Sequence, residues 1–197
     1  DIKPSKIKKV GIIGAGFMGA SIGYVTARAG IDVVLVDRDQ EAADKGKAIS
    51  DELITKDMQK GRATAADKEA LLSRIQATPD YAALENCDLV IEAVFEDREV
   101  KRVVTEKAEA AIKASAIMAS NTSTLPITGL AKVSVRPKNF IGIHFFSPVD
   151  KMPLVEIITG KETSDEALAH AFDYVLKIKK TPIVVSDSRG FFTSRVF

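Results

Sequence analysis

A doubly wound, mostly parallel α/β sheet is the fold this 197-residue sequence predicts, and three observations predict it. An apolar run, Val10 to Ile13, breaks into three glycines within V-G-I-I-G-A-G-F-M-G. Short β-branched segments alternate along the chain with longer stretches of helical period, the pattern of a parallel sheet covered on both faces. The second β-branched segment ends on an acid, Asp37.

The glycine run is the most informative stretch. A buried strand that must turn tightly into a helix beside a pyrophosphate needs Gly14 for the turn and Gly16 for the bare approach to the phosphates. It needs Gly19 so that the new helix can lie close on the strand. Backbone N–H groups of the turn, from Gly14, Ala15 and Gly16 to Phe17, Met18 and Gly19, then face the anion at the positive helix end. No lysine follows the glycines, which separates this turn from the phosphate loop of NTPases. Phe17 to Ala29, closed by Gly30, reads as the helix, and Ile31 to Val36 as the next strand. Asp37 stands 23 residues after Gly14. A carboxylate at this strand tip can accept both adenosine ribose hydroxyls and would repel a 2′-phosphate, so the expected cofactor is NAD and the expected fold is Rossmann-type.

Gln40 to Lys60 follows as a charged helix with apolar or small residues at Ala42, Gly46, Ile49, Leu53 and Met58. Thr64 and Asp67 resemble a capping box for a second helix returning to Ile75, giving a helical-hairpin insertion after the second strand. Its charged face suits a long polar substrate, with Lys56 and Lys60 available for phosphates. Ile75 to Pro79 and Cys87 to Ala93 are predicted strands, the second ending in acids. Ligands lie beyond the carboxyl ends of such strands, making Glu92, Glu96 and Lys101 site candidates. Asp97 to Ser115 reads as a helix and Ala116 to Ser120 as a strand emptying into Asn121 to Thr124, residues able to cap a helix or face a ligand. Phe140 to Phe146, Leu154 to Ile158 and Thr181 to Ser186 are the remaining strands. A last helix is predicted from a Thr163–Glu166 cap to about Lys180.

The composition, 46% apolar and 28% charged with a formal charge of +1, is that of a globular protein. It gives no footprint for nucleic acid and no polybasic patch for a membrane, and no metal-ligand cluster is expected. No apolar segment approaches the roughly 18 residues of a membrane span. Cys87 is the one cysteine. It sits beside an apolar run, reads as a buried small residue rather than a nucleophile, and fits a reducing compartment.

Two polar residues interrupt apolar strands. A lone histidine such as His144 is more often a satisfied core residue than a catalyst. Glu156 changes the weighing, because an ionised carboxylate is rarely buried without a partner. On neighbouring strands the two would form a dyad suited to oxidising a secondary alcohol: neutral imidazole takes the hydroxyl proton while the carboxylate orients the ring and stabilises the imidazolium formed.

The series G-A-G-F-M-G, Asp37, E-A-V-F-E (Glu92 to Glu96), S-N-T-S-T (Ser120 to Thr124), H-F-F-S-P-V (His144 to Val149) and M-P-L-V-E-I-I (Met152 to Ile158) resembles the NAD-binding domain of L-3-hydroxyacyl-CoA dehydrogenases. It is most similar to the dehydrogenase portion of multifunctional fatty-acid oxidation proteins. The resemblance implies that His144 is the catalytic histidine and Glu156 its partner. Val94, Phe95, Glu96, Lys101 and Ser147 are implied along the cofactor, Ser123 between nicotinamide and substrate, and Lys60 and Ser194 toward the acyl-CoA. Ser147 and Ser194 stand where many members have asparagine, so the direct contact expected of the amide gives way there to a bridging water.

The implied reaction is NAD-dependent oxidation of L-3-hydroxyacyl-CoA to 3-oxoacyl-CoA in β-oxidation. A 3-hydroxy acid dehydrogenase acting without CoA, or a non-catalytic NAD-binding module, stay open on the residues alone. Residues 1–6 are expected to be a linker remnant, 7–187 the NAD-binding domain, and 188–197 the start of a truncated helical domain; the fragment is expected to be inactive alone. The full-length protein is expected to be a homo-oligomer, with a thiolase subunit as partner in some settings, in the cytoplasm or, in a eukaryote, the mitochondrial matrix or peroxisome.

Overall fold

The computed structural model describes residues 6–187. Eight strands form one sheet in the order β3-β2-β1-β4-β5-β6-β7-β8. They are β1 (Lys9–Ile13), β2 (Asp32–Val36), β3 (Ile75–Thr78), β4 (Leu89–Glu92), β5 (Ile117–Ser120), β6 (Phe140–Phe145), β7 (Leu154–Thr159) and β8 (Thr181–Ser186). All neighbours pair in parallel except β6 and β7, which are antiparallel. The helices are α1 (Phe17–Arg28), α2 (Gln40–Gln59), α3 (Ala65–Ser73), α4 (Arg98–Ala111), the one-turn α5 (Ile127–Leu130) and α6 (Asp165–Lys177).

Strand residues alternate between two cores, as the two-residue period of a pleated sheet requires. On β2, Val33 and Leu35 join Ile22, Ile54 and Tyr174 under α1, α2 and α6, whereas Val34 and Val36 face Val104, Ala108 and Ile127 under α4 and α5. Both faces are covered, so the inner strands are buried almost throughout. Cys87 lies in the second core, where burial pushes its thiol up to about 12 and leaves it an inert apolar side chain. No helix among the described residues is long and apolar enough to cross a membrane.

The Thr64–Asp67 capping box forms reciprocally at the start of α3. Four local expectations are corrected. The face α2 buries is Ala43, Gly46, Ser50 and Ile54; of the predicted run, Gly46 is buried and Leu53 packs half-buried against the core, whereas Ala42 and Ile49 each stand one residue short of the buried positions and Met58 is not buried. Gly46 sets that phase, because a Cβ there would lie 2.6 Å from the Ala15 Cβ and 2.8 Å from its carbonyl oxygen, so this side of the helix lies against the glycine turn. Helix α4 stops at Ala111, and α6 stops at Lys177, short of the predicted Ser115 and Lys180.

The cap of α6 is Ser164, whose side chain accepts from the Ala167 amide; Thr163 instead accepts from the Gly160 amide and donates to the Phe140 carbonyl, bridging β6 and the exit of β7. Ser164→Ala is therefore expected to lower the unfolding free energy by about 1 kcal/mol. Thr163→Val should lower it by at least as much, on the order of 1–3 kcal/mol, because it strips two partly buried backbone groups of a partner. Urea unfolding of both variants checks the order.

Candidate active site

Strand β1 runs buried to Ile13 and turns at Gly14, whose φ of 100° lies in the left-handed region. A Cβ at Gly14 would stand 2.7 Å from the Ala93 carbonyl oxygen, so both its backbone angle and its packing against the end of β4 exclude a side chain. At Gly19 a Cβ would fall 1.7 Å from the Gly14 carbonyl oxygen, so α1 packs on the turn that launches it. Gly16 differs: nothing lies within 4 Å of the place its Cβ would take. No side chain caps α1 at Gly16 and no acid stands in its first turn. Bare backbone at a positive helix end beside open space is what a pyrophosphate needs, and the residues present fit a dinucleotide. Phe17 is exposed beside this opening and Met18 half-buried.

Asp37 is tied to the same turn. Its Oδ2 accepts from the Ala15 amide at 2.7 Å and its Oδ1 from the Arg38 amide at 2.7 Å, which fixes the carboxylate at the strand tip. A cleft of about 370 Å³ opens there, lined by Gly14, Asp37, Arg38, Pro79, Tyr81 and Lys107 among others. Burial, and then the Asp37 charge, push the Tyr81 hydroxyl upward, so it stays a neutral donor. Lys107 lies over the Tyr81 ring, 5.9 Å from its centroid. Sequence reasoning missed Pro79, Tyr81 and Lys107 as cleft residues. The only available signal was their position just after β3 and one turn short of the end of α4.

Beyond β4, Glu92 is buried under a full set of donors: Lys101 Nζ at 2.9 Å to each oxygen, the Ser120 hydroxyl, and the Val94 amide at 3.2 Å. Burial pushes Glu92 up from its ordinary range, opposed first by the Lys101 charge and then by the hydrogen bonds from Ser120, Lys101 and the Val94 amide. Lys101 is itself buried and also reaches the Val94 carbonyl at 3.4 Å, so its ammonium holds the β4 exit in shape from beneath. Val94 is half-buried, and Phe95 projects into solvent. Glu96 accepts from Ser123, from the amide at 3.0 Å and the hydroxyl at 3.2 Å, and from the Thr122 hydroxyl. Thr122 also accepts from the Leu125 amide, closing the turn before α5; the helix itself starts at Pro126 with no side-chain cap, so the capping role open to Asn121–Thr124 is not taken.

The two interrupted strands do meet. β6 and β7 place His144 directly opposite Glu156, and Nδ1 lies 3.0 Å from Oε1, with Glu156 fully buried. Nδ1 donating to the carboxylate puts the imidazole lone pair on Nε2, and the Phe146 ring packs at 4.6 Å from the imidazole. The parallel β5–β6 register ends at Ser120 and Gly142; beyond it the Asn121 side chain accepts from the Phe145 amide at 2.8 Å, replacing the strand that is no longer alongside. Ser147 is exposed at the start of the β6–β7 loop and Lys60 is exposed at the end of α2, each clear of the dyad's hydrogen bonds. Ser194 lies outside the described residues.

A glycine turn, a strand-tip acid and a buried His–Glu pair at one end of a mostly parallel sheet define an NAD-dependent oxidoreductase domain. Residues 9–188 match the family model of the 3-hydroxyacyl-CoA dehydrogenase NAD-binding domain, and the chain belongs to that family. Its cofactor is NAD. The chain is similar to (S)-3-hydroxybutyryl-CoA dehydrogenase PaaH1 from Ralstonia eutropha, with 39% identity and TM-score 0.95 over 97% of this chain and 68% of that one. It is 31% identical to 3-hydroxybutyryl-CoA dehydrogenase from Escherichia coli, with TM-score 0.91, covering 94% of this chain and 39% of that one. It is 33% identical to the dehydrogenase part of multifunctional enzyme 1 from C. elegans, with TM-score 0.84, covering 94% and 43%.

The glycine geometry separates two effects. Gly16→Ala should leave thermal unfolding unchanged and weaken NAD binding roughly tenfold or more, because its methyl enters only the open space. Gly19→Ala should lower both, because the helix must move off the Gly14 carbonyl. Calorimetric NAD titration beside a thermal melt distinguishes them.

Proposed function

We propose that this domain carries the catalytic dyad of an L-3-hydroxyacyl-CoA dehydrogenase, which oxidises the 3-hydroxyl of an acyl-CoA to a ketone. The observation that carries the reading is the His144–Glu156 pair, 3.0 Å apart across one strand register. Bound NAD supplies the hydride acceptor. His144 Nε2 takes the hydroxyl proton, and Glu156, through Nδ1, keeps the ring in the tautomer that can do so and offsets the positive charge that the proton brings. Asp37 accepts the adenosine ribose hydroxyls, and the amides from Gly14 to Gly19 take the pyrophosphate. Ser123, with its amide and hydroxyl turned toward Glu96, borders the nicotinamide and substrate side along with Val94, Phe95 and Ser147.

The substrate assignment rests on the relatives and on the α2–α3 hairpin, whose exposed Lys56 and Lys60 offer charge to the phosphates of CoA. The R. eutropha and E. coli relatives are named for a hydroxybutyryl-CoA substrate. The C. elegans relative, the dehydrogenase part of a multifunctional enzyme, supports a place in a multifunctional protein. Because this chain spans 39% to 68% of the relatives' lengths, the complete catalytic unit is proposed to include a further helical domain that closes over the acyl chain.

In a full-length dehydrogenase, His144→Ala is expected to cut turnover by roughly 10²- to 10⁴-fold with the NAD Kd unchanged, as removal of a proton acceptor should. Glu156→Gln should lower kcat and alter its pH profile. NADH formation from 3-hydroxybutyryl-CoA, followed at 340 nm, is the assay, and wild-type rates in His144→Ala would overturn the mechanism. Lys60→Glu should raise KM for the acyl-CoA and leave the rate with a CoA-free 3-hydroxy acid unaltered; the opposite pattern favours a substrate without CoA.

Asp37 has its own test. Replacing it with serine should narrow the preference for NAD over NADP by on the order of 1–3 kcal/mol, since a carboxylate beside a 2′-phosphate loses hydrogen bonds and adds repulsion. Calorimetry with both cofactors reads it directly.

A further inference from the structure

The antiparallel ladder that carries the dyad has an open end. Its last pair is Phe145 with Val155, one position beyond His144 and Glu156, and the loop 146–153 closes it. Only the Phe145–Val155 pair stands between that loop and the dyad. On the β5 side the strand has already lost its parallel neighbour, and the Phe145 amide turns to the Asn121 side chain.

Lys180 lies beneath this loop. Only 9% of the residue is exposed, and its ammonium donates to the Met152 carbonyl at 2.7 Å and to the Val149 carbonyl. The loop is wound to receive it: the Lys151 and Met152 amides both donate to the Pro148 carbonyl at 3.0 Å. No carboxylate among the described residues forms an ion pair with Lys180, and Asp150, at the middle of the loop, supplies attraction at longer range. A desolvated ammonium satisfied by two carbonyls of one short loop is an arrangement that orders the loop.

The backbone around Lys180 is set for the same purpose. After α6, Lys179 takes a φ of 63°, a region that favours glycine, and the Lys180 amide returns to the Val175 carbonyl at 3.1 Å. The next residue, Thr181, enters β8 opposite Leu154, and its amide donates to Pro153 at 2.7 Å. Lys180 is therefore anchored at its own backbone to the first residues of β7 and at its side chain to the loop before them.

Resting on the reading of His144 and Glu156 as the dyad, we propose that Lys180 is a positioning residue for this reaction: its ammonium clamps the β6–β7 loop and so holds the imidazole and its carboxylate in register for proton transfer. It touches no reacting atom.

The test is Lys180→Met in a full-length dehydrogenase, assayed with NAD and 3-hydroxybutyryl-CoA. Misplacement of a reacting group by about 1 Å costs up to roughly 100-fold, so kcat should fall roughly 10- to 100-fold with the NAD Kd within twofold of wild type. A solvent isotope effect on kcat should grow as proton transfer becomes limiting. Lys180→Arg, which keeps a cation and several donors, should recover most of kcat. Wild-type kcat in a variant that binds NAD overturns the proposal. So does a parallel loss of kcat and NAD affinity, the pattern of a merely structural lysine. If Lys180→Met does not bind NAD at all, the milder Lys180→Gln is judged by the same split between kcat and NAD Kd. His144→Ala, run alongside, separates the two readings: if it keeps full activity the dyad assignment has failed, whereas if it is inactive and Lys180→Met is not, only the clamp has.

Discussion

A carboxylate with no solvent exposure in the middle of an apolar strand is the constraint on which the catalytic half depends. Left alone, Glu156 would be far too costly to bury as an anion. Its tolerance requires His144 directly across the ladder, and a one-residue slip of β6 against β7 would turn one of them onto the opposite face. The pair therefore pins the register of the sheet's one antiparallel junction. The proposed chemistry and the folding make the same demand on these two residues.

The nucleotide half rests on contact of a different kind. There the controlling interactions are absences of side chains: the turn lies against Ala93, α1 lies against the turn, and α2 lies against Ala15. The Ala15 amide then reaches Asp37, so the strand-tip acid and the glycine turn are one hydrogen-bonded unit. The Tyr174 hydroxyl meets Thr26 at 2.7 Å and joins α6 to α1 across the buried face, tying the dyad's side of the sheet to the nucleotide's side.

Much of this was legible in the sequence, for a physical reason. The glycine turn, Asp37 and the Thr64–Asp67 box are local patterns whose chemistry needs residues at fixed short spacing. Glu156 was legible because charge inside an apolar strand demands an explanation. The phase of α2 was not: Ile49 and Leu53 are more apolar than Ser50, and only the contact of Gly46 with Ala15 turns the serine inward. Thr163 was read as a cap by its distance from Glu166, whereas its hydroxyl is taken by two strands that sequence spacing does not bring near. Lys101 looked like a cleft cation, and its burial follows from Glu92, nine residues earlier, needing a counter-charge. Tyr81 and Lys107 come from separate elements and meet only when the chain has folded.

Gly46 stands inside a 20-residue helix, where glycine is about 1 kcal/mol less favourable than alanine. The helix tolerates that local weakness in return for nearness to the glycine turn. Its consequence is mechanical. The outer arm of the hairpin, with its lysines, and the turn around Ala15 share one stiff rod with no side-chain cushion at the point of contact. The arm that carries the lysines therefore bears on the turn through direct van der Waals contact at Gly46, about a third of the way along α2.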